Sequence, residues 1–124
     1  MSSGNSPWVK RDLAHVWHPC TQMKDHESVP MIPLRGGSGV WLEDFDGKRY
    51  VDGISSWWVN LFGHCNARIN AAVAEQLGAL EHAIFAGFTH PQAVNLAEEL
   101  VRLAPRGLNR CFFADNGSAA VEVP

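Results

Sequence analysis

Two adjacent tryptophans, Trp57 and Trp58, follow Ser55-Ser56 and lie between Gly53 and Gly63, a poor arrangement for an ordinary core. In a strand, neighbouring side chains point to opposite faces. At most one indole then enters a given core, and the other must meet a ligand, a subunit or another layer. Taken alone, the pair fits a core indole beside an interface indole as well as it fits an indole laid against a flat ligand. The rest of the chain has to separate those readings.

Ahead of the indoles, Gly36-Gly37-Ser38-Gly39 reads as a loop, and Asp46-Gly47 marks a turn between Val40–Asp44 and Lys48–Val51. That is a β-hairpin signal, with the glycine supplying the positive φ such turns require. Behind them, Asn66 is a candidate N-cap, and Ile69, Val73, Leu77 and Leu80 recur at helical spacing. A second helix is expected from Pro91, carrying Val94, Leu96, Leu100, Val101 and Leu103 before Pro105 stops it. Arg110–Ala114 reads as a short buried strand, and Asp115-Asn116-Gly117-Ser118 turns from it into a helix start. The alternation is that of an α/β protein. Met1–Lys10 is polar, so it is expected to be disordered or draped on a partner, and His15, Trp17, His18 and Pro19 suggest a segment anchored through Trp17. Lys24–Glu27 reads as a solvated loop.

A strand, a glycine turn and less than two turns of helix ending at Pro124 read as a unit interrupted part-way. The 124 residues are therefore expected to be the N-terminal part of a larger protein. At 46% hydrophobic they carry the apolar mass of one modest domain.

A turn through Asn116, Gly117 and Ser118 into a helix offers free backbone N–H groups, a positive dipole end and a hydroxyl, which suit a phosphate. Many α/β turns carry glycine for conformational reasons alone, and spacing does not separate the two readings. No Gly-Lys-Ser/Thr follows a glycine-rich loop, and Gly36–Gly39 precedes a strand, which argues against a nucleotide fingerprint.

A formal charge of -3, from ten Lys and Arg against thirteen Asp and Glu, gives no basic stripe, so nucleic acid is not an expected partner. No run of eighteen apolar residues and no apolar segment within Met1–His15 point to a membrane or an export signal, and a cytoplasmic protein is expected. Cys20, Cys65 and Cys111 are odd in number and widely spaced, which suits reduced thiols. Metal is not expected, because no ligand spacing of a zinc site is present and the adjacent His64 and Cys65 would diverge.

Five segments together resemble the adenosylmethionine-8-amino-7-oxononanoate aminotransferase family. They are His15–Met23, Tyr50-Val51-Asp52-Gly53, Ser55-Ser56-Trp57-Trp58, Phe85–His90 and Phe113–Ser118. The hairpin and the Asp-Asn-Gly-Ser turn are shared more broadly among class III aminotransferases, whereas Trp-His-Pro and Ser-Ser-Trp-Trp are the specific motifs. The resemblance runs from Asp12 to Val123 and corresponds to the first third or so of such an enzyme. It implies a fold-type I, pyridoxal 5'-phosphate-dependent transferase, with residues 1–11 a flexible N-terminus. Residues 12–63 would be the N-terminal segment of the small domain, and 64–124 the start of the large cofactor-binding α/β domain.

It further implies transfer of an amino group from S-adenosylmethionine to 8-amino-7-oxononanoate in biotin biosynthesis, by a homodimer. The cofactor carries the electron-sink chemistry. By position, Gly117 and Ser118 resemble the phosphate-cup residues, Trp57 a substrate-contacting indole, and Trp58 its neighbour in the same wall. Cys20 falls where relatives place a tyrosine that stacks on substrate, and a thiol has no ring to stack. The family's Schiff-base lysine has no counterpart here, since Lys10, Lys24 and Lys48 occupy polar settings. The 124-residue chain is accordingly expected to have no catalytic residue of its own and no transaminase activity. Two alternatives stand beside this: another class III ω-aminotransferase, and a non-catalytic dimerisation module derived from one.

Overall fold

The computed structural model describes residues 5–123. The first residues of the expected flexible segment, and Pro124 with its helix-breaking role, lie outside the described residues. The chain forms two compact units that divide between Gly78 and Ala79. The element order is α1 (Ser6–His15), a 3-10 turn (Met23–Glu27), β1 (Leu34–Ser38), β2 (Trp41–Asp44), β3 (Arg49–Val51), α2 (Ser55–Trp58), α3 (Ala67–Ala79), α4 (Pro91–Leu103) and α5 (Gly117–Glu122).

In the first unit, β1, β2 and β3 form an antiparallel sheet in that order. Ser38 pairs with Trp41 and Leu42 with Tyr50, and the ladder slips between Leu34 and Gly36. The β2–β3 hairpin is the one expected, with Gly47 at φ 82° in its turn. The glycine-rich stretch expected as a loop instead forms most of β1. Its missing side chains do not prevent pairing, because the ladder uses only backbone groups.

Asp44 organises the hairpin turn and is the one buried residue among those described, at 1% exposure. One carboxylate oxygen accepts from the backbone N–H groups of Asp46 and Lys48, each at 2.9 Å. The other accepts from the Tyr50 hydroxyl at 2.9 Å and from Asn5 Nδ2 at 3.1 Å. Burial pushes this carboxyl upward, but the donors from Asn5, Tyr50, Lys48 and Asp46 outweigh it and hold it below the ordinary carboxylate value.

The same contacts order the segment whose composition led us to expect disorder. Pro7 sits in the first turn of α1, where a missing N–H costs nothing. Asn5 Oδ1 accepts from Phe45 N at 3.1 Å, and Trp8 stacks on Phe45 with ring centroids 5.1 Å apart. Trp8 is therefore the anchor, and Trp17, expected in that role, is 87% exposed. Lys24–Glu27, expected as a solvated loop, falls within the 3-10 turn.

The helices expected from periodicity are α3 and α4. Asn66 caps α3 by accepting from Arg68 N and Ile69 N at 3.1 and 3.2 Å. In the second unit, His90 caps α4 through Nδ1, which accepts from Ala93 N at 3.4 Å. The strand expected at Arg110–Ala114 is not formed, since no strand among the described residues lies beside it to share a ladder. The apolar stripes of α3 and α4 exist, but no apolar side chain among the described residues is buried. Their positions are those of core faces that have no cover.

Candidate functional site

The double tryptophan lies on α2, which is not a strand and is not wound in the usual hand. Ser55, Ser56, Trp57 and Trp58 stand at φ 50°, 47°, 66° and 69°, a left-handed turn built from four residues with side chains. Trp58 N donates to Ile54 O at 2.8 Å and Val59 N to Ser55 O at 2.9 Å, which closes the turn. The left-handed form costs about 1–2 kcal/mol for each L-residue, because Cβ crowds the following carbonyl. Several such residues in sequence persist only where the surroundings hold them.

The expectation that the two indoles point to opposite faces is thereby corrected. Successive side chains on a helical turn lie about 100° apart rather than on opposite sides. Trp57 and Trp58 are 62% and 74% exposed, so neither fills a core.

What holds the turn is the carboxylate of Asp52, just beyond β3. Its Oδ1 accepts from Ser56 N at 2.9 Å, and its Oδ2 accepts from Ser56 Oγ at 2.7 Å and from His64 Nε2 at 2.8 Å. The Asp52 side chain is 6% exposed and that of His64 15%. The Ser56 N–H, then the Ser56 hydroxyl and the His64 imidazole, lower the Asp52 carboxyl to about 2 against the opposing pull of burial. An ionised carboxylate only accepts, so Nε2 carries the proton. Nδ1, 3.4 Å from Asn60 Nδ2, is left to accept. A small cavity of about 80 Å³ lies here, lined by Gly39, Asp52, Ser55, Asn60 and His64 among others.

His64 is fixed in turn by the β1–β2 turn. His64 N donates to Gly39 O at 2.8 Å, and Gly39 N donates to His64 O at 3.0 Å. Gly37 makes the approach possible, because a Cβ there would stand 3.0 Å from His64 Cβ and 3.1 Å from the Trp41 carbonyl oxygen.

In the second unit, α5 opens as the sequence suggests. Asn116 Oδ1 accepts from Ala119 N at 2.8 Å, and Asn116 O accepts from Ala120 N at 3.0 Å. The N–H groups of Gly117 and Ser118 and the Ser118 hydroxyl make no hydrogen bond among the described residues. The space where a Gly117 side chain would project is open. Upstream, Phe85 packs edge-on against His90 and Phe113, at 5.7 and 6.2 Å between ring centroids.

Trp57 and Trp58 thus share one turn in the first unit, and Gly117 and Ser118 share another in the second. Cys20 lies exposed in the turn after α1, at φ 56°. Asp52, Ser56 and His64 were not among the expected site residues. The spacing gave little signal, because Asp52 reaches the N–H of Ser56 four residues on, further than the two or three residues of an ordinary helix cap.

Residues 22–124 match the model of the family described as aminotransferase class-III. The chain belongs to that family. It is 46% identical over 112 residues to the adenosylmethionine-8-amino-7-oxononanoate aminotransferase of Helicobacter pylori, covering 90% of this chain and 25% of the relative. To the enzyme of the same name from Synechococcus elongatus it is 50% identical over 109 residues, covering 88% of this chain and 25% of the relative. The crystal structure of the aminotransferase of that name from Methanocaldococcus jannaschii superposes with a TM-score of 0.88 at 34% identity. That likeness covers 94% of this chain and 27% of the other. The fold is accordingly the fold-type I class expected for a class III aminotransferase. The chain spans about a quarter of the length of the curated relatives it matches. No helix among the described residues is long and apolar enough to cross a membrane.

Proposed function

We propose that this chain is the N-terminal part of an aminotransferase that moves an amino group from S-adenosylmethionine to 8-amino-7-oxononanoate, the step that gives 7,8-diaminononanoate in biotin biosynthesis. The observation that carries the reading is identity of 46–50% to enzymes of that name over about nine-tenths of the chain. Residues 12–63 contribute to the small domain and 64–124 open the large one. The working enzyme is a cytoplasmic homodimer.

Pyridoxal 5'-phosphate, when bound, supplies the electron sink for the transfer. The chemistry of α5's first turn fits its phosphate, with two N–H groups and a hydroxyl unengaged and no side chain crowding Gly117. Gly117 and Ser118 bind phosphoryl oxygens there. Trp57 and Trp58 form a flat wall that orients substrate and excludes water from one side. Cys20 lines the substrate region with a thiol in place of a ring. Proton transfer and covalent attachment of the cofactor fall to residues outside this chain, so the 124 residues alone are inactive.

Grafting residues 12–123 onto the remainder of the Helicobacter pylori relative tests the reading. The graft is expected to form 7,8-diaminononanoate from S-adenosylmethionine and 8-amino-7-oxononanoate, while the 124-residue chain forms none. A graft that binds pyridoxal 5'-phosphate yet uses only other amino donors rejects the assignment.

A further inference from the structure

The indoles stand on a left-handed backbone, and beyond the backbone bonds that close the turn it is held by one chain of side-chain contacts. The β1–β2 turn fixes the His64 backbone through its paired hydrogen bonds with Gly39. The His64 side chain donates to Asp52, and Asp52 in turn takes both the N–H and the hydroxyl of Ser56, directly before Trp57. Asp52 and His64 are nearly covered, whereas the indoles they support are open. No other side chain among the described residues hydrogen-bonds to a backbone group of α2.

We propose that Asp52 and His64 are positioning residues, which hold α2 in its left-handed form through Ser56 and so set where the Trp57 and Trp58 indoles stand. The relevance to substrate rests on the proposed function, but the clamp itself is a statement about backbone and indole geometry. A carboxylate suits the task because it accepts from three donors at once at short range, and an uncharged acceptor forms weaker bonds with the same groups. The imidazole suits it because Nε2 donates to Asp52 while His64 Cβ and Cγ lie close to Gly37, which has no side chain to displace them.

The test uses the graft enzyme described above, labelled with ¹³C and ¹⁵N over residues 12–123. Backbone shifts of Ser55–Trp58 report the hand of the turn, and the indole N–H resonances of Trp57 and Trp58 report their surroundings. Asp52→Ala and His64→Ala are expected to abolish the left-handed shifts and move both indole resonances, leaving Leu42 and Tyr50 in the hairpin unchanged. His64→Gln, which keeps a donor near the Nε2 position, is expected to restore most of the wild-type pattern. Three results would overturn the clamp: a wild-type chain without left-handed shifts at Ser55–Trp58, alanine variants that retain them, or loss of the hairpin resonances together with the turn. None of these depends on catalysis, so failure of the clamp and failure of the aminotransferase assignment are read separately.

Discussion

Asp44 and Asp52 stand at opposite ends of the β2–β3 hairpin, and both are carboxylates collecting hydrogen bonds from their own neighbourhood. Around Asp44 the device serves a conformation the chain would favour anyway. A glycine takes the positive φ, the flanking strands pair, and the fourth donor, Asn5, ties α1 to the turn. Around Asp52 it serves a conformation that four residues with side chains resist. Equivalent chemistry therefore does unequal jobs: at one end it completes a stable element, and at the other it maintains a strained one beneath two exposed indoles. Strain that is maintained at this expense in structure is characteristic of functional sites.

The largest effect that would break this contrast is expected at the scaffold end. Asp44→Ala removes the acceptor that four donors share, and amide exchange in the hairpin and α1 should rise by about tenfold or more, with α4 unaffected. Hydrogen exchange followed by NMR measures this, and a protected hairpin in the variant would reverse the ranking of the two carboxylates.

Acid should next sharpen the contrast. The Asp52 carboxyl lies near 2 in the folded turn, below its ordinary value of 3.8. Its stabilisation of the turn is therefore complete above about pH 4 and lost as pH falls through about 2, by up to about tenfold in population per pH unit. Residue-resolved shifts of Ser55–Trp58 between pH 5 and pH 1.5 check this. Release of the turn with a midpoint at or above pH 4 contradicts the hydrogen-bonding described.

The smallest effect belongs to alkali. The hydrogen bond from Tyr50 to Asp44, then burial and the charges of Asp44 and Asp46, raise the phenol above its ordinary 10.0. Stability from this group is full below pH 10 and is lost as pH rises through the folded value. The hairpin should loosen modestly there, α2 should not, and Tyr50→Phe should erase the difference. Phenolate absorbance alongside hairpin shifts reports both.

Much of the fold was legible because it depends on local spacing. The Asp46-Gly47 turn, the apolar periodicity of α3 and α4, the cap at Asn66 and the turn through Asn116 into a helix involve groups within a few residues of one another. The misreadings share a different cause. α1 is ordered by Asn5 and Trp8 reaching the turn at Asp44 and Phe45, far along the sequence. β1 was hidden because glycine carries no strand propensity, although its backbone pairs normally. At Arg110–Ala114 an apolar run suggested a strand, but a strand exists only beside another.

The site was legible in part. The adjacency of Trp57 and Trp58 and the turn through Gly117 and Ser118 drew attention in the sequence, and α5 does begin at Gly117. The hand of α2 was not readable, since no propensity favours left-handed serine or tryptophan. It emerges from Asp52 and His64, twelve residues apart, meeting across the unit.

The close approach at Gly37 extends this dependence one step further from the indoles. A single methyl group at Gly37 would stand 3.0 Å from His64 Cβ and 3.1 Å from its Cγ, so the residue that donates to Asp52 would have to give by a few tenths of an ångström. One carbon atom added to β1 thus bears on the peptide before Trp57 through two intervening side chains.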